Sequence, residues 1–251
     1  MKIFFLHNPK AGGMSLRTLL STPFSKDSIA PVFDNSPYDH RNKINYESHI
    51  NGFKFYAGHF GFDVYKSLSR KHQLITNFRD PIHRIKSLYR YWREFDLSSI
   101  NKESAGPVTL AKDLTFSNFI RHPDQDLRLY IDNFHFRQLL SSGWEPSNSN
   151  IFSRSIVRHR ISRMPWIFIC EMPELSLILL GNLFPDYAGV SIKRENMSRS
   201  ENFSITPEDA RFIASKNTLD YEIYSYALAL QIKRASRLCC ITSDSHKFLI
   251  T

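Results

Sequence analysis

Three short segments carry side chains suited to holding and transferring anionic groups. The run His7-Asn8-Pro9-Lys10-Ala11-Gly12-Gly13-Met14-Ser15 sets a lysine just ahead of two glycines and a serine. A glycine-rich turn that opens a helix offers free backbone N–H groups and the positive end of the helix dipole to a phosphate, and Lys10 adds an ammonium. Gly58-His59 supplies an imidazole, a group that can take a proton near neutral pH. Arg79-Asp80-Pro81-Ile82-His83-Arg84-Ile85-Lys86-Ser87 supplies a rigid guanidinium fork, then a hydroxyl about two turns into a helix. Each segment alone also has a plain explanation: a glycine turn, a surface histidine, an N-capped helix with a solvated basic face. The first is not a Walker A loop, because Lys10 precedes the glycines and no strand ending in a metal-binding aspartate follows.

The elements around these segments decide whether they meet. Lys2–Leu6 is a short apolar run and reads as a buried strand, with a helix opening at Ser15–Leu20 after the glycines. Gly52–Ala57 and Gln73–Phe78 read as second and third strands, with a helix from Phe62 to Ser69 between them. Asp80 suits an N-cap and Pro81 the first helical position. Ile82, Ile85, Tyr89 and Trp92 then recur at helical spacing, leaving Arg84, Lys86, Arg90 and Arg93 for other faces. Residues 96–114 read as a long loop or excursion, and 115–163 as two or three helices. Trp166–Cys170 reads as a fourth strand and Glu174–Leu183 as a helix. Thr206-Pro207-Glu208-Asp209 reads as a capping box opening a helical pattern that breaks near Asn217 and runs to about Arg234. Residues 238–251 are weakly patterned.

Strands alternating with helices predict an α/β fold with a mostly parallel sheet, in one domain spanning 1–251. Ligands of such sheets bind at the carboxyl ends of the strands. Lys10, His59 and Arg79 then share one edge, an arrangement fit for a multiply phosphorylated ligand.

Composition narrows the partners. The 251 residues carry 33 Lys+Arg against 24 Asp+Glu, a net charge of +9, which favours an anionic partner such as a nucleic acid, a phosphorylated cofactor, an anionic glycan or a membrane surface. An aromatic content of 14% argues against a disordered polybasic segment. Cys170, Cys239 and Cys240 are odd in number and two are adjacent, so no disulfide framework is expected, and without a C-x-x-C neither is structural zinc. Apolar runs such as Ile3–Leu6 and Leu175–Leu180 are too short to span a membrane, and the opening run breaks at His7 before resembling a signal peptide. A reducing cytoplasm is the expected compartment, in which the sequons at Asn196 and Asn202 have no role.

Together the segments resemble the sulfotransferases that use 3'-phosphoadenosine 5'-phosphosulfate. IFFLHNPKAGGMSL is similar to their 5'-phosphosulfate loop, P-K-[TA]-[AG]-G-T-S-[LF], and TNFRDPIHRIKSLYRYW to their 3'-phosphate motif, R-D-P-x-x-R-x-x-S. FYAGHFGF resembles the G-H segment of the carbohydrate branch related to the heparan sulfate and chondroitin 2-O-sulfotransferases. FICEMPELSLILLGNLF and RENMSRSENFSITPEDARFIASKNTLDYEIYSYA resemble later blocks of that branch, so the likeness runs in order from about residue 2 to 230. Met14 departs from the usual threonine and removes one hydroxyl contact, and Ala11 also replaces a commoner threonine.

The resemblance implies a P-loop-like central parallel sheet flanked by helices, with a helix-rich C-terminal half. It implies transfer of a sulfuryl group to a hydroxyl of a carbohydrate or glycolipid acceptor, possibly anionic, with adenosine 3',5'-bisphosphate as product, no metal and no nucleic-acid partner. Lys10 would neutralise the leaving phosphate and His59 would be the base. Lys10, Ala11, Gly12, Gly13, Met14 and Ser15 would hold the 5' end, and Arg79 and Ser87 the 3'-phosphate. An acceptor could meet Arg154, Arg158, His159, Arg160 and Arg163, although a solvated basic helix face is the commoner use of such spacing. Trp144 and Trp166 could stack on a sugar, Trp166 reading better as core, and Lys193, Arg194, Asn196 and Ser198 could close over the donor. Three alternatives stand beside this. One is a basic module binding nucleic acid or a membrane surface, one a nucleotide-dependent kinase-like enzyme, and one a degenerate sulfotransferase that only binds the donor.

Overall fold

All four residues of the first strand, β1 (Ile3–Leu6), are buried, and their side chains divide between two cores. Phe4 and Leu6 face one and Ile3 and Phe5 the other, so both sides of the strand are covered, as a parallel strand requires. The computed structural model describes residues 1–31, 52–68, 72–99, 105–145, 149–192 and 203–247. Its other strands are β2 (Phe55–Gly58), β3 (Gln73–Phe78) and β4 (Ile167–Ile169), and the sheet runs β2-β1-β3-β4, all parallel. The α/β reading and each expected strand are therefore seen, with ends shifted by up to three residues.

Eleven α-helices lie among the described residues: α1 (Gly13–Ser21), α2 (Phe62–Leu68), α3 (Pro81–Glu94), α4 (Gly106–Asp113), α5 (Phe116–Arg121), α6 (Gln125–Ile131), α7 (Phe134–Leu140), α8 (Ile151–Arg163), α9 (Pro173–Leu183), α10 (Pro207–Lys216) and α11 (Thr218–Lys247). Leu16 and Leu20 of α1 and Leu179 and Leu180 of α9 cover one face of the sheet. Residues of α7, α8 and α11, among them Phe136, Val157, Ile161 and Ile223, cover the other. A third cluster lies within the helices, where Ile85, Tyr89 and Trp92 of α3 pack with residues of α4, α5, α6 and α10.

Chain order makes β1 central. The chain passes from β1 to β2 on one side and then to β3 on the other, so the direction of winding reverses at β1. Such a switch point leaves a crevice beyond the carboxyl ends of the strands, because the two connections leave in opposite directions.

Four local expectations change. The stretch 96–114 is not one loop: Gly106 and Pro107 open α4, where proline lacks only an N–H that no helical bond needs, and Val108 and Ala111 bury beside α3. Four helices, not two or three, fill 115–163. The last helix runs on to Lys247, with no glycine or proline after Asn217 to stop it. Arg84 is buried rather than turned to solvent, its guanidinium donating to the carbonyls of Tyr130 at 3.1 Å and Ile131 at 3.4 Å. The α3 N-terminus is as expected: Asp80 caps it by accepting from Ile82 N at 2.9 Å and His83 N at 3.1 Å, with Pro81 first in the helix.

Candidate functional site

The loop after β1 is pinned from β3. The Asn77 side chain accepts from Asn8 N at 2.7 Å and donates to the carbonyls of Asn8 at 3.1 Å and Ala11 at 2.7 Å. Gln138 of α7 donates to the carbonyls of His7 at 3.0 Å and Phe60 at 2.9 Å, tying the ends of β1 and β2 together. These bonds hold a turn that is not relaxed by itself: Lys10 sits at φ 65 and Gly12 at φ 77, the left-handed region that costs a residue with a Cβ about 1–2 kcal/mol. Asn77→Ala removes three buried bonds and is expected to lower stability by about 3 kcal/mol, as urea unfolding would measure.

The two glycines have separate reasons. Gly12 is the left-handed N-cap of α1 and has no side chain with which to cap it. A Cβ on Gly13 would fall 1.7 Å from His7 Nε2, so the imidazole and the helix start touch only because residue 13 is glycine. The first turn of α1 contains no acidic residue, and its opening N–H groups receive no side-chain cap. Such an end favours an anion.

Around that helix start the strand ends bring the expected side chains together. Arg79, after β3, donates through Nη1 to the Lys10 carbonyl at 2.9 Å. The Lys10 ammonium lies 3.7 Å from the centre of the Tyr91 ring on α3. Burial first, and then the Arg79 charge, pushes the Lys10 pKa down to about 8, with Glu94 opposing. His59 follows β2, and its ring is 4.4 Å from that of His7. Burial foremost, with the charges of His59, Lys10 and Arg17, holds the His7 pKa well below the usual imidazole range, so His7 is neutral at pH 7.

A scan against protein-family models matches none of them, and a search of curated proteins finds no match. The chemistry of the site therefore rests on its own geometry.

Of the other residues expected at the site, Ala11 is buried in the turn, Ser15 is half-buried in α1, and Met14 is 54% exposed beside them. Ser87 is half-buried on α3, two turns beyond Arg79. Lys193, Arg194, Asn196 and Ser198 lie outside the described residues, as does Asn202. The basic run on α8 is divided: Arg154 and Arg158 pair with Glu222 of α11 at 3.3 and 3.1 Å. Arg160 donates to the carbonyls of Leu139 at 2.6 Å and Leu140 at 2.7 Å, closing the end of α7. Trp144 and Trp166 are both buried, Trp166 donating to the Ser176 carbonyl at 2.7 Å, so neither is a platform for a sugar.

Sequence reasoning passed over four residues that shape the site: Asn77, Gln138, Tyr91 and Glu171. Glu171 stands just beyond β4 and accepts from Asp80 N at 3.1 Å and from the Tyr224 hydroxyl at 3.0 Å, which fixes the peptide that follows Arg79. A signal existed for two of them. Asn77 is an amide at the end of a strand buried on both faces, and Glu171 is a carboxylate where a fourth strand meets the ligand edge. Cys170 beside it is an inert thiol, its pKa pushed up to about 12 mainly by burial.

Proposed function

We propose that the protein is a sulfotransferase that takes a sulfuryl group from 3'-phosphoadenosine 5'-phosphosulfate and gives it to a hydroxyl of a carbohydrate or glycolipid. The P-loop-like form of the sheet belongs to this reading. One observation carries it: the Arg79 guanidinium bonds the Lys10 carbonyl at the switch point of the sheet, beside a helix start with no acid in its first turn and no side-chain cap. A ligand with phosphates at both ends of a nucleoside matches two cations on separate strands better than a single phosphate does.

The residues present fit such a donor. Backbone N–H groups of Gly13, Met14 and Ser15 would hold its 5' end, the exposed Met14 thioether supplying no hydrogen bond of its own. Arg79 and Ser87 would hold the 3'-phosphate. In the reaction the acceptor oxygen bonds to sulfur while the bridging sulfur–oxygen bond breaks, its electron pair leaving with the 5'-phosphate. His59 takes the proton of the acceptor hydroxyl, and Lys10 neutralises charge growing on the leaving oxygen. Neutral His7, packed against Gly13, would set the floor on which the His59 ring rests. Positioning and charge supply most of the rate in this class of transfer, which suits a site braced by Asn77 and Gln138.

The test is calorimetric titration with adenosine 3',5'-bisphosphate, with ADP and ATP as competitors. Binding without added metal, preferring the 3'-phosphate and weakened about 10–100-fold in Arg79→Ala, is the expected result. Unchanged affinity in that variant, or binding of ATP only with magnesium, overturns the reading.

A further inference from the structure

Lys10 is fixed at both of its ends. Its carbonyl accepts from Arg79 Nη1 at 2.9 Å, and its ammonium lies over the Tyr91 ring, 3.7 Å from the centre. A cation at that distance is drawn to the negative face of the ring. Tyr91 belongs to α3, one turn beyond Ser87, and positions four apart share a helix face. Phe95, just past the end of α3, meets the Tyr91 ring edge-on with centroids 5.4 Å apart and braces it.

The ammonium makes no hydrogen bond and no ion pair among the described residues. Three groups on neighbouring elements act on it or stand beside it. Arg79, beyond β3, opposes its charge, and Glu94, in the last turn of α3, favours it without pairing with it. His7, just after β1, is neutral. The ring of Tyr91 is therefore the contact that holds the cation in place.

An aromatic face suits a lysine that must later bond an anion. A carboxylate in the place of Tyr91 would take N–H donors of the ammonium in charge-assisted bonds and would compete with an incoming phosphate. A ring attracts the charge more weakly and leaves donors of the ammonium to be used elsewhere. The hold is strong enough to fix one direction for a flexible side chain and weak enough to share it with a ligand.

We propose that Tyr91 is a positioning residue, its ring holding the Lys10 ammonium where the leaving oxygen of the donor forms while N–H groups of that ammonium stay available to bond the oxygen. The identity of the oxygen rests on the sulfotransferase reading, whereas the hold on the ammonium does not. Tyr91 acts through Lys10 and bonds neither donor nor acceptor. Helix α3 then carries, one turn apart, the hydroxyl assigned to the 3'-phosphate and the perch of the cation assigned to the 5' end.

The electron density of the ring at position 91 is the variable that tests this. Tyr91→Phe keeps the ring face, and Tyr91→3,4,5-trifluorophenylalanine keeps nearly the same shape but removes most of the negative potential of that face. Titration of Lys10 in the full chain without ligand is followed by NMR of isotope-labelled lysine, with Lys10→Met assigning the signal. Wild type and Tyr91→Phe are expected to agree, and the fluorinated chain to titrate lower by about half a pH unit, because its cation has lost the ring. At pH 7 kcat/KM for sulfuryl transfer should fall about two- to fivefold from Tyr91→Phe to the fluorinated chain, its alkaline decline moving with the titration. A side chain that only packs would give both variants one titration and one rate. That result overturns the proposal, as does a shifted titration with an unchanged rate. A chain that shows the shift, sulfates no acceptor and binds no adenosine 3',5'-bisphosphate keeps the hold of Tyr91 on Lys10 and overturns the sulfotransferase reading instead.

Discussion

His59→Ala is expected to lower kcat for sulfuryl transfer by about 10²–10⁴-fold while affinity for adenosine 3',5'-bisphosphate stays within about threefold of wild type. The split follows from where the residue sits. His59 lies just past β2, across β1 from Arg79, whereas the proposed donor contacts are in the loop after β1, in α1, just after β3 and in α3. Transfer of radiolabelled sulfate from the donor to desulfated heparan sulfate and to a glycolipid panel would measure the rate, and titration the affinity. The His59 ring also touches that of His7, so its loss leaves a gap beside a buried side chain. A structural effect and a catalytic one therefore need separating. Exogenous imidazole restores part of a rate lost through a missing base and does nothing for a distorted turn. A variant that turns over at the wild-type rate would remove His59 from the reaction.

The sequence placed these groups on one edge because a parallel α/β sheet admits few other arrangements. Once Lys2–Leu6, Gly52–Ala57 and Gln73–Phe78 are strands joined by helices, the residues after each strand must point the same way. The Asp80 cap and Pro81 were readable for a similar reason: their effects act within one helical turn. What stayed hidden acts across the chain. Asn77 grips residues 66 to 69 positions away, and Gln138 reaches β1 from 131 positions away. No local pattern encodes such reach. Arg84 shows the same limit: an arginine off the apolar stripe reads as solvated, yet the α6 carbonyls and the charge of buried Asp220 draw it inside. The α8 arginines show it in reverse. Their spacing reads as a solvated basic face, with a glycan contact the rarer use, but Glu222 and the end of α7 engage Arg154, Arg158 and Arg160.

Lys10→Met is expected to lower kcat/KM by about 10²–10³-fold, and pH tells whether charge is the reason. The ammonium is buried beside Arg79, and its pKa is lowered from 10.5 to about 8. It is a cation below that value and neutral above it, so wild-type kcat/KM should fall as pH rises through about 8. In the methionine variant that decline should be missing, because no group there remains to lose a proton. Stability moves the opposite way. A lysine with a folded pKa below its unfolded one binds its proton more tightly in the unfolded chain, so the folded state is penalised below about 8 and relieved as pH rises toward 10.5. Removing the charge lifts that penalty at pH 7, while losing the contact with Tyr91 offsets part of the gain by about 1 kcal/mol. The melting temperature of Lys10→Met at pH 7 should therefore equal or exceed that of wild type, even as activity collapses. A residue kept only for packing would lose stability and activity together. A Lys10→Met chain that melts earlier and keeps the alkaline decline would assign that decline, and the rate, to another group.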